Sequence, residues 1–164
     1  MLKTCVARWW RLLAISAALA VTSSALPAWA ALGGDITSVQ ADQAHMRASL
    51  RTSVYALYAV HEMQSASGTV VREYVSSTGQ SAGKVFALAW QGPWRPDMQQ
   101  ILGNYFEQFA QAAQSQSKIR MGRRPLIVDL PGLVVEQGGH AGAFAGRAYV
   151  PGMLPTGVRA EEIQ

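Results

Sequence analysis

Residues 53–91 read SVYALYAVHEMQSASGTVVREYVSSTGQSAGKVFALAWQ, and they decide the fold. Three runs rich in β-branched and aromatic residues are separated by short polar connections. Ser53–Gln64 alternates Tyr55, Leu57, Ala59, His61 and Met63 with Val54, Ala56, Tyr58, Val60 and Glu62. Both sets are largely apolar, which predicts one central strand covered on both sides. Ser65-Ala66-Ser67-Gly68 reads as a turn, and Thr69–Ser76 as the second strand. Lys84–Gln91 is the third strand, with Phe86, Leu88 and Trp90 on one face and small Val85, Ala87 and Ala89 on the other. Connections this short favour an antiparallel meander, because parallel neighbours need a crossover of a dozen residues or more.

Beyond this core, Gly92-Pro93-Trp94-Arg95-Pro96 breaks the strand. Pro96 suits the first residue of a helix, and Asp97 suits its positive end. Met98, Ile101, Leu102, Tyr105, Phe106, Phe109, Ala110 and Ala113 then recur at helical spacing. They predict one long amphipathic helix over about 96–115, lying on the sheet. Pro125–Asp129, Leu133–Gln137 and Ala141–Val150 read as two or three further strands. Upstream, Thr37-x-x-Gln40 has capping-box spacing, and Val39, Met46 and Leu50 share one helical face. They predict a short N-terminal helix within Thr37–Arg51. The expected class is α+β: an antiparallel sheet of five or six strands, one long helix packed on it, and a short N-terminal helix.

The first thirty residues carry an export pattern. Lys3, Arg8 and Arg11 precede the apolar run LLAISAALAV, and Pro27 with Ala28-Trp29-Ala30 supplies a break and an A-x-A cleavage site. The apolar run is too short to span a bilayer, which takes roughly 20 residues. Cleavage between Ala30 and Ala31 is expected, and with it a periplasmic or secreted location. Removing the 30-residue leader from the 164-residue chain leaves 134 residues. The leader holds three of the 14 Lys+Arg and none of the ten Asp+Glu, so the net charge falls from +4 to +1. Overall basicity then gives no argument for nucleic acid. The single cysteine, Cys5, lies in the leader, so the mature chain has no disulfide, thiolate metal site or thiol nucleophile. The expected organisation is a signal peptide over 1–30, a single domain over 31–150, and an irregular tail over 151–164.

Several residue patterns invite a chemical reading. Gly79-Gln-Ser81-Ala-Gly83 matches G-x-S-x-G, but a strand follows it where a nucleophile elbow needs a helix. His61-Glu62 starts an H-E-x-x-H motif whose second histidine is missing. His45, His61 and His140 are scattered with no ligand spacing. The glycines at 138, 139, 142 and 146 fit neither phosphate-loop pattern. No catalytic residue, metal ligand or cofactor is therefore assigned from the sequence. Two groups remain as candidate contacts for a ligand or partner. Lys118, Arg120, Arg123 and Arg124 could meet an anionic surface, or could simply follow a helix C-terminus. Trp94 and Arg95 sit in the strand-to-helix loop, where Trp94 could cap the core or touch a ligand.

Ala31-Leu-Gly-Gly34, Val60-His-Glu62, Val71-Arg-Glu-Tyr-Val75, Val85–Trp90, Gln91-Gly-Pro93, Leu102-Gly103, Tyr105-Phe106, Gly138-Gly-His140 and Gly146-Arg-Ala148 together resemble a family of exported Gram-negative proteins known as a domain of unknown function. The resemblance spans nearly the whole mature chain. It implies export and a small α+β domain, and it brings no catalytic residues. The functional expectation is a non-enzymatic envelope binding or assembly factor whose partner is an envelope protein or an anionic surface component. The alternatives are a small exported hydrolase or metal-dependent enzyme using His61, His140 or Ser81, and a periplasmic binder of a small apolar ligand held between helix and sheet.

Overall fold

The computed structural model describes residues 32–117 and 125–164. The expected cleavage site at Ala30 and Ala31 and the basic residues Lys118, Arg120, Arg123 and Arg124 lie outside the described residues. The architecture is α+β, with an antiparallel sheet of seven strands where five or six were expected. Helix α1 (Ile36–Met46) leads into β1 (Ser49–Val54), β2 (Tyr58–Gln64), β3 (Val70–Ser76) and β4 (Val85–Gly92). Helices α2 (Met98–Leu102) and α3 (Phe106–Ser117) precede β5 (Leu126–Leu130), β6 (Leu133–His140) and β7 (Ala143–Tyr149). The strand order is β1-β2-β3-β4-β7-β6-β5. Two meanders thus meet at the β4–β7 pair.

The extra strand comes from a turn with no turn residues. Tyr55-Ala56-Leu57 reverses the chain inside the stretch predicted as one strand, closed by the Tyr55 N–H donating to the Tyr58 carbonyl at 2.8 Å. The remaining stretch, β2, is covered on both sides as expected, with Met63 in the main core and Tyr58 and Val60 packed on the opposite face. The N-terminal helix is also shorter than expected. Arg47 takes a left-handed conformation (φ 48°) and its N–H closes the helix on Ala44 and Gln43, so Leu50 belongs to β1. At its start, Asp35 is the cap, accepting from the Thr37 N–H at 2.9 Å.

The long helix is interrupted as well. Gly103 (φ 50°, ψ −122°) leaves helical geometry, and a 3-10 turn over Gly103–Tyr105 joins α2 to α3. A residue with a Cβ would resist that conformation. The apolar face survives the break: Ile101, Leu102 and Phe109 are buried, while Phe106 is half-buried.

Register explains how the two faces of the sheet differ. On the helix-covered face, Leu50, Met63, Val71, Trp90, Gly146, Gln137 and Leu126 lie in one row across all seven strands. This face and the helices form the main core, including Val39, Val71, Leu88, Trp90, Leu102 and Val135. The opposite face carries the row Arg51, Glu62, Arg72, Ala89, Arg147, Glu136 and Ile127. Small Ala87 and Ala89 leave a trough there, and residues 151–164, a C-terminal strap, fill it. Ile163 is buried in a second cluster with Tyr74, Phe86, Ala87 and Ala89. The tail is fastened by polar contacts as well: Arg147 Nη1 donates to the Ala160 carbonyl at 2.7 Å, and Tyr74 OH donates to the Gln164 carbonyl at 2.8 Å. Among the described residues no helix is long and apolar enough to cross a membrane.

Candidate binding site

The strand-to-helix loop after β4 builds a surface cavity of about 220 Å³ between the C-terminal end of α1, the β2–β3 turn and the start of α2. Its walls include His45, Ser67, Thr69, Trp94, Arg95 and Gln100. The loop is held to the turn by Thr69 Oγ1 donating to the Trp94 carbonyl at 3.0 Å. Trp94 itself is 65 % exposed, so it does not cap the core. The Arg95 guanidinium lies 5.2 Å from the centre of the Phe144 ring, a cation–π contact that orients an exposed side chain. Asp97 caps α2, accepting from the N–H groups of Gln99 at 2.9 Å and Gln100 at 3.2 Å. The cavity therefore combines one exposed indole, one exposed cation and several hydrogen-bonding groups on ordered backbone.

Behind its wall lies a feature that the sequence did not announce. Asp42 of α1 and Glu73 of β3 are both fully buried. Gln100 Nε2 donates to Asp42 Oδ1. As bare carboxylates, Asp42 Oδ2 and both Glu73 oxygens would have no partner. Burial, reinforced by the neighbouring Asp42, holds the Glu73 carboxyl well above the usual carboxylate range. Burial raises Asp42 too, while hydrogen bonds from Glu73 and Gln100 pull it the other way. Glu73 is therefore the protonated partner, and its proton is the donor that Asp42 needs. No solvent reaches either group, so the pair is not open to a substrate. A lone Asp in a weakly amphipathic helix and a Glu in an apolar strand give no local sign that they meet.

The three histidines sit on different elements. His45 is exposed on α1, His61 is buried in β2, and His140 ends β6. His61 Nδ1 pairs with Thr52 Oγ1 at 3.0 Å, and burial lowers its pKa, which keeps the ring neutral. His140 Nδ1 lies 3.0 Å from the Ala141 carbonyl. Ser81 falls in a 3-10 turn, Gly79–Ser81, between two antiparallel strands, with no hydrogen bond to a histidine among the described residues. Nor is there, among those residues, a group of three or more His, Cys, Asp or Glu side chains placed to hold a metal ion.

Of the residues proposed from sequence, Trp94 and Arg95 thus come together at one cavity. Comparison with known proteins adds the family. The model described as "Protein of unknown function (DUF2844)" matches residues 28–163. No curated protein and no solved structure matches the chain. The family match takes in every element of the fold, both meanders and most of the C-terminal strap, and the chain belongs to the DUF2844 family of proteins of unknown function.

Proposed function

We propose that this chain is an exported envelope protein that acts by binding, with Trp94 and Arg95 as its principal contact. The observation that carries this reading is the 65 % exposure of Trp94, the largest of the exposed apolar side chains among the described residues. An indole left in water forgoes a large hydrophobic gain, and Trp and Arg are the residue types that most often dominate binding energy at protein interfaces. The neighbouring cavity gives a partner side chain somewhere to insert. The basic residues Lys118, Arg120, Arg123 and Arg124 are proposed as a secondary contact for an anionic envelope surface. An apolar ligand between helix and sheet is less well supported, because Val71, Leu88, Ile101 and Leu102 already fill that interface. The hydrolase reading is less well supported, because no histidine hydrogen-bonds Ser81 among the described residues.

The test has two parts. Mass spectrometry of the protein from an expressing Gram-negative host should find a mature chain beginning at Ala31; an intact Lys3-containing peptide would remove the export reading. A photoreactive residue at position 45, on the cavity rim, should give a discrete crosslink in envelope fractions. Trp94→Ala with Arg95→Ala should reduce that crosslink at least tenfold. An undiminished crosslink would remove the contact assignment.

A further inference from the structure

The opposite face of the sheet carries a second recess, remote from Trp94. It is a cleft of about 370 Å³ between β1–β3 and the C-terminal strap. That volume lies within the range of small-molecule sites, roughly 300–1,000 Å³. Tyr55 and half-buried Tyr58 form an aromatic wall, with the buried Tyr74 behind it. Tyr55 and Tyr58 have ring centres 5.1 Å apart, and Tyr58 and Tyr74 are 5.8 Å apart. Tyr55 is 54 % exposed and presents its ring to the solvent side.

The polar half of the cleft is held in place. Arg72 Nε donates to Glu62 Oε2 at 2.7 Å, and its Nη1 donates to the Gln164 carbonyl at 3.3 Å. Tyr74 OH donates to that carbonyl and accepts from the Gln164 N–H at 3.0 Å, so the strap cannot drift. Glu162 is engaged by Arg159 at 3.4 Å. Arg51, opposite Glu62 in the β1–β2 register, lines the cleft and is exposed, and its side chain has no ion pair or hydrogen bond among the described residues. Each carboxylate thus has its cation, and one guanidinium is left without an anion.

We propose that this cleft binds a carboxylated saccharide. A hexopyranose ring has one face of C–H groups, which packs on the negative face of an aromatic ring, and a rim of hydroxyls that needs dense hydrogen bonding. The tyrosine wall and the Glu62–Arg72 pair supply those two surfaces. The unpaired Arg51 offers a planar fork that takes a carboxylate in two parallel hydrogen bonds. A purely apolar ligand would strand the charged groups, and a simple anion would leave the tyrosines without use. The fastened strap means that little ordering has to accompany binding.

The inference is independent of the Trp94 contact and is tested separately. Calorimetric titration of the purified protein would use tetragalacturonate, the disaccharide of N-acetylglucosamine and N-acetylmuramic acid, and neutral cellotetraose. At least one acidic probe should bind at least tenfold more tightly than cellotetraose, and which one binds identifies the source of the sugar. Arg51→Gln should abolish that preference, and Tyr55→Ala should weaken binding at least tenfold. Both residues are exposed, so both variants should stay folded, Arg51→Gln unfolding at the parent's temperature and Tyr55→Ala slightly below it for the lost Tyr58 ring contact. Binding of neither acidic probe, equal binding of acidic and neutral probes, or acidic binding insensitive to both substitutions would overturn the proposal.

Discussion

Replacing Gly146 with alanine tests the packing at the centre of the sheet. Gly146 is the register partner of Trp90 across the β4–β7 pair. An added Cβ would fall 2.4 Å from Cζ2 and 2.6 Å from Cε2 of the indole, and 2.7 Å from the Glu136 carbonyl oxygen. Carbon atoms in good contact are about 3.5–4.0 Å apart, so the ring would have to retreat by roughly 1 Å. Trp90 is 2 % exposed and packed within the main core, which leaves it no free direction. The other obstacle is backbone in the neighbouring strand, and moving it would disturb the β6–β7 ladder. Overpacking of this kind costs about 1–3 kcal/mol, and two rigid obstacles put this site toward the upper end. Alanine recovers about 0.5–1 kcal/mol of the conformational entropy that a strand glycine loses. The net loss should be about 1.5–2.5 kcal/mol, or about 5–10 °C in Tm for a domain of this size. Urea unfolding followed by tryptophan fluorescence and circular dichroism would measure it, with an unchanged m-value marking a true stability change. Gly152→Ala is the control, since nothing lies within 4 Å of its added Cβ. A Gly146→Ala variant as stable as that control would refute the account of the Trp90 contact.

Two further perturbations follow from the buried groups. The folded protein holds a proton on Glu73 that the unfolded chain releases above the ordinary carboxylate pKa of 4.5. Stability should therefore fall as pH rises from that value toward the raised folded value, by at most about 1.4 kcal/mol per pH unit for one proton. Glu73→Gln keeps a donor for Asp42 and removes that proton, so its urea midpoint at pH 5, 6.5 and 8 should fall less steeply than the parent's; parallel slopes would mean that Glu73 is ionised when folded. Ile163→Ala empties a buried site under the C-terminal strap and should cost about 2–4 kcal/mol, with faster proteolysis after Arg159. A neutral result would mean that the strap does not stay on the sheet in solution.

Much of this architecture was legible in residue order because it rests on local periodicity. The apolar face of Ile101, Leu102 and Phe109 follows helical spacing and stays on one side even though Gly103 breaks the helix. The alternation Ala87, Leu88, Ala89, Trp90 shows two unlike faces in β4, but Phe86 joins Ala87 and Ala89 and Val85 joins Leu88 and Trp90, the reverse of the expected faces, because the register shifts at Tyr74/Val75. The Trp94–Arg95 pair is also local, and the structure adds the cavity that joins it to α1 and the β2–β3 turn. What the tertiary structure alone decided depends on contacts between residues far apart in the chain. The turn at Tyr55–Leu57 lacks Gly, Pro, Asn and Asp, so strand pairing, through the Tyr55–Tyr58 and Leu57–Ser77 backbone bonds, imposes a reversal that local preference does not signal. Asp42 and Glu73 meet because α1 lies on the face of β3 that carries Glu73, and their protonation follows from desolvation. The tail has no periodicity at all; it is ordered because Ala87 and Ala89, side by side with longer residues from neighbouring strands, leave a trough that Ile163 fills.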